Sequence, residues 1–351
     1  MAGGGSITEL RTLTRAGSLL RSPIDGWSPA ELDRLRWNVR TEILVLQVNY
    51  APVTPMTPNH GYSYRQVLDH GAVGQSTLSY LASQFSHSTD AQWRARLEAG
   101  EISLDDQPAQ GDEPLRAGLV LIWNRPGWVE AATPNSYGVV FQDDDLLVVD
   151  KPSGLPTLPG AGYYLNTLLS LVRQDFPAAR PLHRLGRATS GLVIFALNSQ
   201  AAATLSGRWP QVHKRYVALA SGVASQETYE IAAPIGEQVH PRLGQVHAAN
   251  VNGKPARSTA HTLQRRTDTT VFEVDLLTGR PHQIRIHLAF IGHPLAGDPL
   301  YAAGGQPRVN DPGLPGDPGY WLHAGRLMFA HPRTGESLEL TAPPPDCLRC
   351  D

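Results

Sequence analysis

Hydrophobic residues recur along this chain with two different periods, and the switches between them mark out the predicted elements. Over residues 76–85, Leu78, Leu81 and Phe85 fall at helical spacing, and over 90–99 Trp93 and Leu97 do the same before Gly100 closes the segment. Residues 101–104 and 119–123 read as strands of a hairpin-like piece whose polar turn is Asp105, Asp106, Gln107 and Pro108. Pro134, Asn135 and Ser136 break the pattern and make 131–137 a linker. Two strand-like runs, 139–141 and 146–149, then flank three consecutive aspartates, and a helix over 166–176 takes Asn166 as its cap. A polar, arginine-bearing turn with two glycines follows and runs straight into the apolar stretch 192–196, the pattern of a loop feeding a buried strand. A short helix over 199–207, strands over 214–220 and 271–276, and a last apolar strand before a proline-rich tail complete the reading.

Length and composition set the frame. At 351 residues the chain exceeds one typical domain and can bury a sizeable core. No apolar run approaches the ~20 residues needed to span a membrane, and the first 20 residues lack the continuous apolar segment of a secretory signal. The expectation is a cytoplasmic protein. Residues 1–55 fit nothing that follows: six arginines are spread among Leu and Ser, and Ser28 and Pro29 could open a short helix over 28–32. They are expected to be an extension, with Met56 as an alternative start.

Formal net charge is −2, so a polyanion must be met by a local basic stripe. Only three of the 30 basic residues are lysines, Lys151, Lys214 and Lys254, and all three fall inside motif segments. Cys347 and Cys350 have no second ligand pair nearby, which argues for a frayed, reduced tail over 346–351. Asp143, Asp144 and Asp145 invite a metal reading, but sequence neighbours point in different directions, and a solvated turn is the better expectation. His282 and His287, five residues apart, do not share one helix face as two ligands would.

The loop and its strand read His183-Arg184-Leu185-Gly186-Arg187-Ala188-Thr189-Ser190-Gly191-Leu192. Together with Asp150-Lys151-Pro152-Ser153-Gly154-Leu155-Pro156, the run 214–220, the turn 254–258, and the long match Leu277-Thr278-Gly279-Arg280-Pro281-His282-Gln283-Ile284-Arg285-Ile286-His287-Leu288 continued through Asp298 to Tyr301, this resembles the RluA-like RNA pseudouridine synthases. Residues 93–102 and 118–128 resemble the S4-like RNA-binding module that precedes many of their catalytic domains. The resemblance covers roughly residues 71–345. It implies an α+β pseudouridine synthase fold with a mixed, largely antiparallel sheet. The expected division is an extension over 1–55, an S4-like module over 56–130, a catalytic domain over 131–345 and the tail.

The implied activity is isomerisation of uridine to pseudouridine in structured RNA, ribosomal or transfer, by a chain expected to be monomeric. No cofactor, metal or membrane partner is implied, because nothing is oxidised when the C–N bond breaks and a C–C bond replaces it. Arg184 matches the arginine that intrudes as the base flips out, and Tyr216 the tyrosine that packs against the uracil. Arg285 matches the arginine that pairs with the catalytic aspartate, and that aspartate falls at Gly186. Arg187, Lys151, Arg280 and His282 are expected to bind RNA in the cleft, and Arg94 and Arg96 from the module. Glycine supplies no nucleophile or base. A buried lone guanidinium costs several kcal/mol, so Arg285 is expected to face water, a phosphate or another acid. Asp150, Asp275 and Asp298 are candidates for a substitute carboxylate, each with a bland alternative in capping a turn or pairing an arginine. The other routes are use of substrate or water, or an RNA-binding pseudoenzyme.

Overall fold

A computed structural model describes residues 58–350 apart from residue 86, together with the backbone of Leu10–Leu13, Leu19–Ser22 and Leu46–Asn49. The predicted helix at 28–32 and Met56 lie outside the described residues. The chain divides into two compact units, Thr54–Glu130 and the remainder.

In the smaller unit the strands Tyr62–Val67, Val120–Arg125, Ile102–Leu104 and Gln107–Pro108 form one antiparallel sheet in that order. Ile102–Leu104 therefore pairs both with Val120–Arg125 and, through a tight turn at Asp105 and Asp106, with Gln107–Pro108. Both aspartates adopt positive φ, as short polar side chains can in a hairpin turn. The helices Thr77–Gln84 and Asp90–Glu98 cover the sheet, the second opened by a capping box between Thr89 and Gln92. Trp93, Leu97, Leu81 and Ile102 form the core. The strand Tyr62–Val67 carries no clean alternation and was not predicted; every one of its residues is exposed, as an edge strand permits.

In the larger unit the described residues include an eleven-stranded sheet. All pairings are antiparallel except that of Ser190–Ala196 with Leu322–Ala330. That parallel contact needs Gly191: a Cβ there would lie 2.4 Å from the carbonyl oxygen of Ala324. Leu46–Asn49 pairs with Ser136–Gln142 at the sheet edge, so this part of the supposed extension belongs to the sheet. The predicted linker is likewise shorter than expected, because the strand begins at Ser136 and buries Tyr137.

The sheet buries both faces. On one, Leu147, Val149, Val193 and Phe195 pack with the helices Leu168–Asp175 and Gln283–Phe290; on the other, Leu146, Val148, Leu192 and Ile194 pack with Ser199–Gly207. The cap of Leu168–Asp175 is Thr167, not Asn166. Gln283–Phe290 went unpredicted for a physical reason: it is buried on nearly every side, Ile284 and Leu288 in the sheet core and Ile286 and Ala289 in a second cluster, so it shows no amphipathic period. The C-terminal tail is docked rather than frayed, with Leu348 buried and Arg266 donating to the carbonyls of Cys347 and Arg349.

Candidate active site

The loop before Ser190–Ala196 is held from below by the segment that follows Lys151. Thr157 donates its hydroxyl to the Leu185 carbonyl at 2.8 Å and accepts from the Leu185 amide at 3.2 Å. Ser153 donates to the Ala188 carbonyl at 2.7 Å, and the Gly154 amide donates to that of Arg187 at 2.7 Å. Lys151 was expected to bind RNA in the cleft, but it lies in the interior. Its side chain is fully buried, and Nζ donates to the carbonyls of Pro152, Leu155 and Arg187. Burial pushes it down to about 7, opposed by Asp150, while three carbonyl acceptors match the three donors of an ammonium. Lys151 therefore shapes the loop that carries the motif.

That loop closes tightly, the Thr189 amide donating to the Gly186 carbonyl at 3.1 Å. His183 ties its entrance to the sheet by accepting from the Ile194 amide; burial pushes the ring down to about 3, so it accepts as the neutral imidazole. Arg184 and Gly186 are exposed. Arg187 is turned aside, donating to the Gly316 carbonyl at 3.0 Å and to the Tyr163 hydroxyl at 2.7 Å.

Arg285 projects from the buried helix with a side chain 3% exposed, and its partner is another acid. Nε and Nη2 donate to the two oxygens of Asp298, each at 2.7 Å, and Nη1 donates to the Pro315 carbonyl at 2.8 Å. Asp298 also accepts from the amides of Leu300 and Tyr301. Burial is the largest single influence on Arg285 and lowers its pKa, but the Asp298 hydrogen bonds together with the charge interactions of Tyr320, Asp298 and Tyr301 more than offset it and leave the pKa raised. Its guanidinium lies 4.4 Å from the ring centre of Tyr320 and 5.0 Å from that of Tyr301.

The Tyr301 hydroxyl donates to the His247 carbonyl at 2.8 Å, so it accepts from Nδ1–H of His282, also at 2.8 Å. Burial, then Arg285, pushes His282 down to about 3, and Arg184 adds to the depression. The ring is therefore neutral, with Nε2 as its bare acceptor, and it stands on a strained backbone at φ 54°. On the side of Tyr320, the hydroxyl lies 3.3 Å from the point where a Cβ on Gly186 would stand. Gly186, Tyr320, Arg285, Tyr301 and His282 thus form one continuous series. Tyr216 joins the same core cluster as Leu185, Ala188 and Tyr320; burial raises it to about 12, and its hydroxyl makes no hydrogen bond among the described residues. Arg280 stays outside the series, donating to the Pro255 carbonyl at 3.1 Å.

None of the three candidate carboxylates replaces an aspartate at residue 186. Asp298 is consumed by Arg285. Asp275 pairs with Arg215 and approaches His261 on the sheet. Asp150 shares the face of Leu146 and Val148, opposite to the motif loop, and burial raises it to about 6. In the smaller unit Arg94 is exposed, whereas Arg96 packs against both Trp93 and Trp123, its guanidinium 4.5 and 4.7 Å from their ring centres, and donates to Ser88. Asp143 and Asp145 are gathered with His331: His331 donates Nε2–H to Asp143, and Arg333 pairs with Asp145 at 2.6 Å. Tyr320, Tyr301 and Tyr163 were not anticipated, because each reaches the site only through tertiary contact.

The family model described as RNA pseudouridylate synthase matches residues 145–290. A Synechocystis protein named as an uncharacterized RNA pseudouridine synthase is 39% identical over 276 residues, which cover 77% of this chain and 95% of that one. RNA pseudouridine synthase 5 of Arabidopsis thaliana is 33% identical, covering 84% of this chain and 96% of the relative. Ribosomal large subunit pseudouridine synthase D of Nitrosomonas europaea is 34% identical, covering 77% and 80% respectively.

Proposed function

The chain belongs to the RluA-like RNA pseudouridine synthases, and from that premise we propose that it isomerises a uridine of structured RNA, ribosomal before transfer RNA, at the cleft beside Gly186. The observation that carries this is the intact series from Tyr320 through Arg285 to His282, set beside Tyr216 and the exposed Arg184. In this reading Arg184 fills the gap left by a flipped base, and the uracil packs on the ring of Tyr216. The choice of ribosomal RNA rests on relatives such as the ribosomal large subunit enzyme of Nitrosomonas europaea. In this reading the smaller unit is an S4-like RNA-binding module, with the exposed Arg94 meeting phosphate, and the protein acts in the cytoplasm.

Pseudouridine mapping of total RNA from cells lacking the gene, with and without the natural protein supplied back, tests the reading. One or more uridines should lose modification on deletion and regain it with the natural chain. A map unchanged by deletion overturns it. A site that returns only with Gly186→Asp would mark the natural chain as an RNA binder without chemistry.

A further inference from the structure

The proposed reaction needs a base at the ribose, and position 186 offers none. Its backbone would accept a side chain, since Gly186 does not adopt positive φ, and among the described residues a Cβ there would meet only two groups within 4 Å: the Tyr320 hydroxyl at 3.3 Å and the Thr189 hydroxyl at 3.6 Å. The space next to the missing side chain is therefore bordered by a phenol. That phenol is under-used. Among the described residues its one hydrogen-bond contact is with Thr189 at 3.5 Å, long for a bond between hydroxyls. Its ring rests on the Arg285 guanidinium, 4.4 Å from the ring centre, which fixes where the hydroxyl points. Arg285 is held in turn by Asp298 and Tyr301, and the pair of Arg187 with Asp317 lies along the same loop. Tyr216 and Tyr301 are further phenols at the site, and burial raises both, Tyr216 to about 12; the Tyr301 hydroxyl is already engaged by His247 and His282.

We propose that Tyr320 supplies the base that residue 186 lacks, with its hydroxyl oxygen taking and returning the C2′ proton of the target ribose. The proposal rests on the function proposed above. The phenolate takes the C2′ proton, the C2′–H electron pair becomes the C1′=C2′ double bond, and the C1′–N1 pair leaves with the uracil as its N1 anion. After the base turns, C5 attacks C1′ while Tyr320 returns its proton to C2′, and the C5 proton passes to N1. Atoms and charge balance without an oxidant or cofactor. Gly186 then has a role of its own: a larger residue would crowd the hydroxyl away from the sugar.

The test uses the RNA site found by mapping and single-turnover rates from about pH 6 to about pH 9, the range over which a phenol base gains activity as its phenolate fraction grows. Tyr320→Phe keeps the ring on Arg285, so folding and RNA affinity should hold while the rate falls about a hundredfold or more, the usual worth of a general base. Adding Gly186→Asp to Tyr320→Phe should restore turnover and abolish the rise with pH, because a carboxylate is already ionised across that range. A Tyr320→Phe enzyme within about threefold of the natural rate overturns the proposal and leaves the function standing. A natural rate that is flat with pH does the same. A natural protein that restores no site overturns both.

Discussion

Two arginine–aspartate pairs in the larger unit share one geometry and differ in almost everything else. Arg285 holds Asp298 through Nε and Nη2 at 2.7 Å each, and Arg215 holds Asp275 through the same two nitrogens at 2.8 and 3.3 Å. The first pair is 3% and 0% exposed and sits under two tyrosines. The second lies across neighbouring strands at 36% and 28%, with Glu273 and His261 close by. Identical forks therefore have different work. In the interior each charge is intolerable without the other, so the pair fixes a guanidinium where the cleft needs one. On the sheet, water already solvates both groups, and the pair only tunes strand pairing.

The widest test of that contrast is to remove one partner from each pair. Asp298→Asn strands the Arg285 charge, and we expect a loss of about 3–5 kcal/mol in denaturant unfolding. Loss of activity should accompany it, because Tyr320 rests on the released guanidinium. Lys151→Met comes next. It leaves the Pro152, Leu155 and Arg187 carbonyls without their donor and should cost about 2–3 kcal/mol. Hydrogen exchange should speed up in the motif loop well before it does in the strands of the sheet. If Lys151→Met is as stable as the natural protein, the interior is wetter than its burial implies, and the contrast between the two pairs weakens with it.

Much of this was legible in the sequence, and the parts that were not share a cause. The fold class and the motif loop could be read because a glycine-bearing turn feeding an apolar strand is local information. So could the acid facing Arg285 in general terms, since a buried guanidinium requires a counter-charge; that the acid is Asp298, thirteen residues along the same motif run, takes the structure. The helix Gln283–Phe290 was hidden because burial on all sides erases periodicity. Lys151 was misread because a lysine in a motif looks like a phosphate ligand until its three carbonyls are seen. Tyr320 gave no signal at all. It lies 134 positions beyond Gly186, in a proline- and glycine-rich loop with no pattern of its own, and only folding puts its hydroxyl beside the missing side chain.

Asp150 supplies the intermediate case, a largely buried carboxylate without an arginine. Burial raises it to about 6, above the value near 3.9 of an unfolded chain. The folded state therefore holds its proton more tightly than the unfolded state does. Below about pH 4 both forms are protonated and the group imposes no penalty; between about 4 and 6 stability falls because the unfolded chain's carboxyl ionises while the folded one must keep its proton, and above about 6, where both are ionised, the penalty is complete. Asp150→Asn should raise stability at pH 7 by about 1–2 kcal/mol and do nothing at pH 4. A gain of equal size at both pH values would show that packing, and not charge, is being changed.

The smallest expected effect is the one that decides whether geometry or burial sets the worth of a fork. Asp275→Asn should cost less than about 1 kcal/mol, because Arg215 keeps both water and Glu273, which lies 3.1 Å from its Nη1. A double-mutant cycle with Arg215→Gln should give a coupling of similar size that fades in high salt, since an exposed pair is screened over about 8 Å at physiological ionic strength. The cycle on Arg285 and Asp298 should keep its coupling under the same salt, because ions cannot enter between groups that water does not reach. Equal couplings would mean that the bidentate contact itself carries the energy, and the buried pair would then lose its claim to be the fixed point from which Tyr320 is positioned.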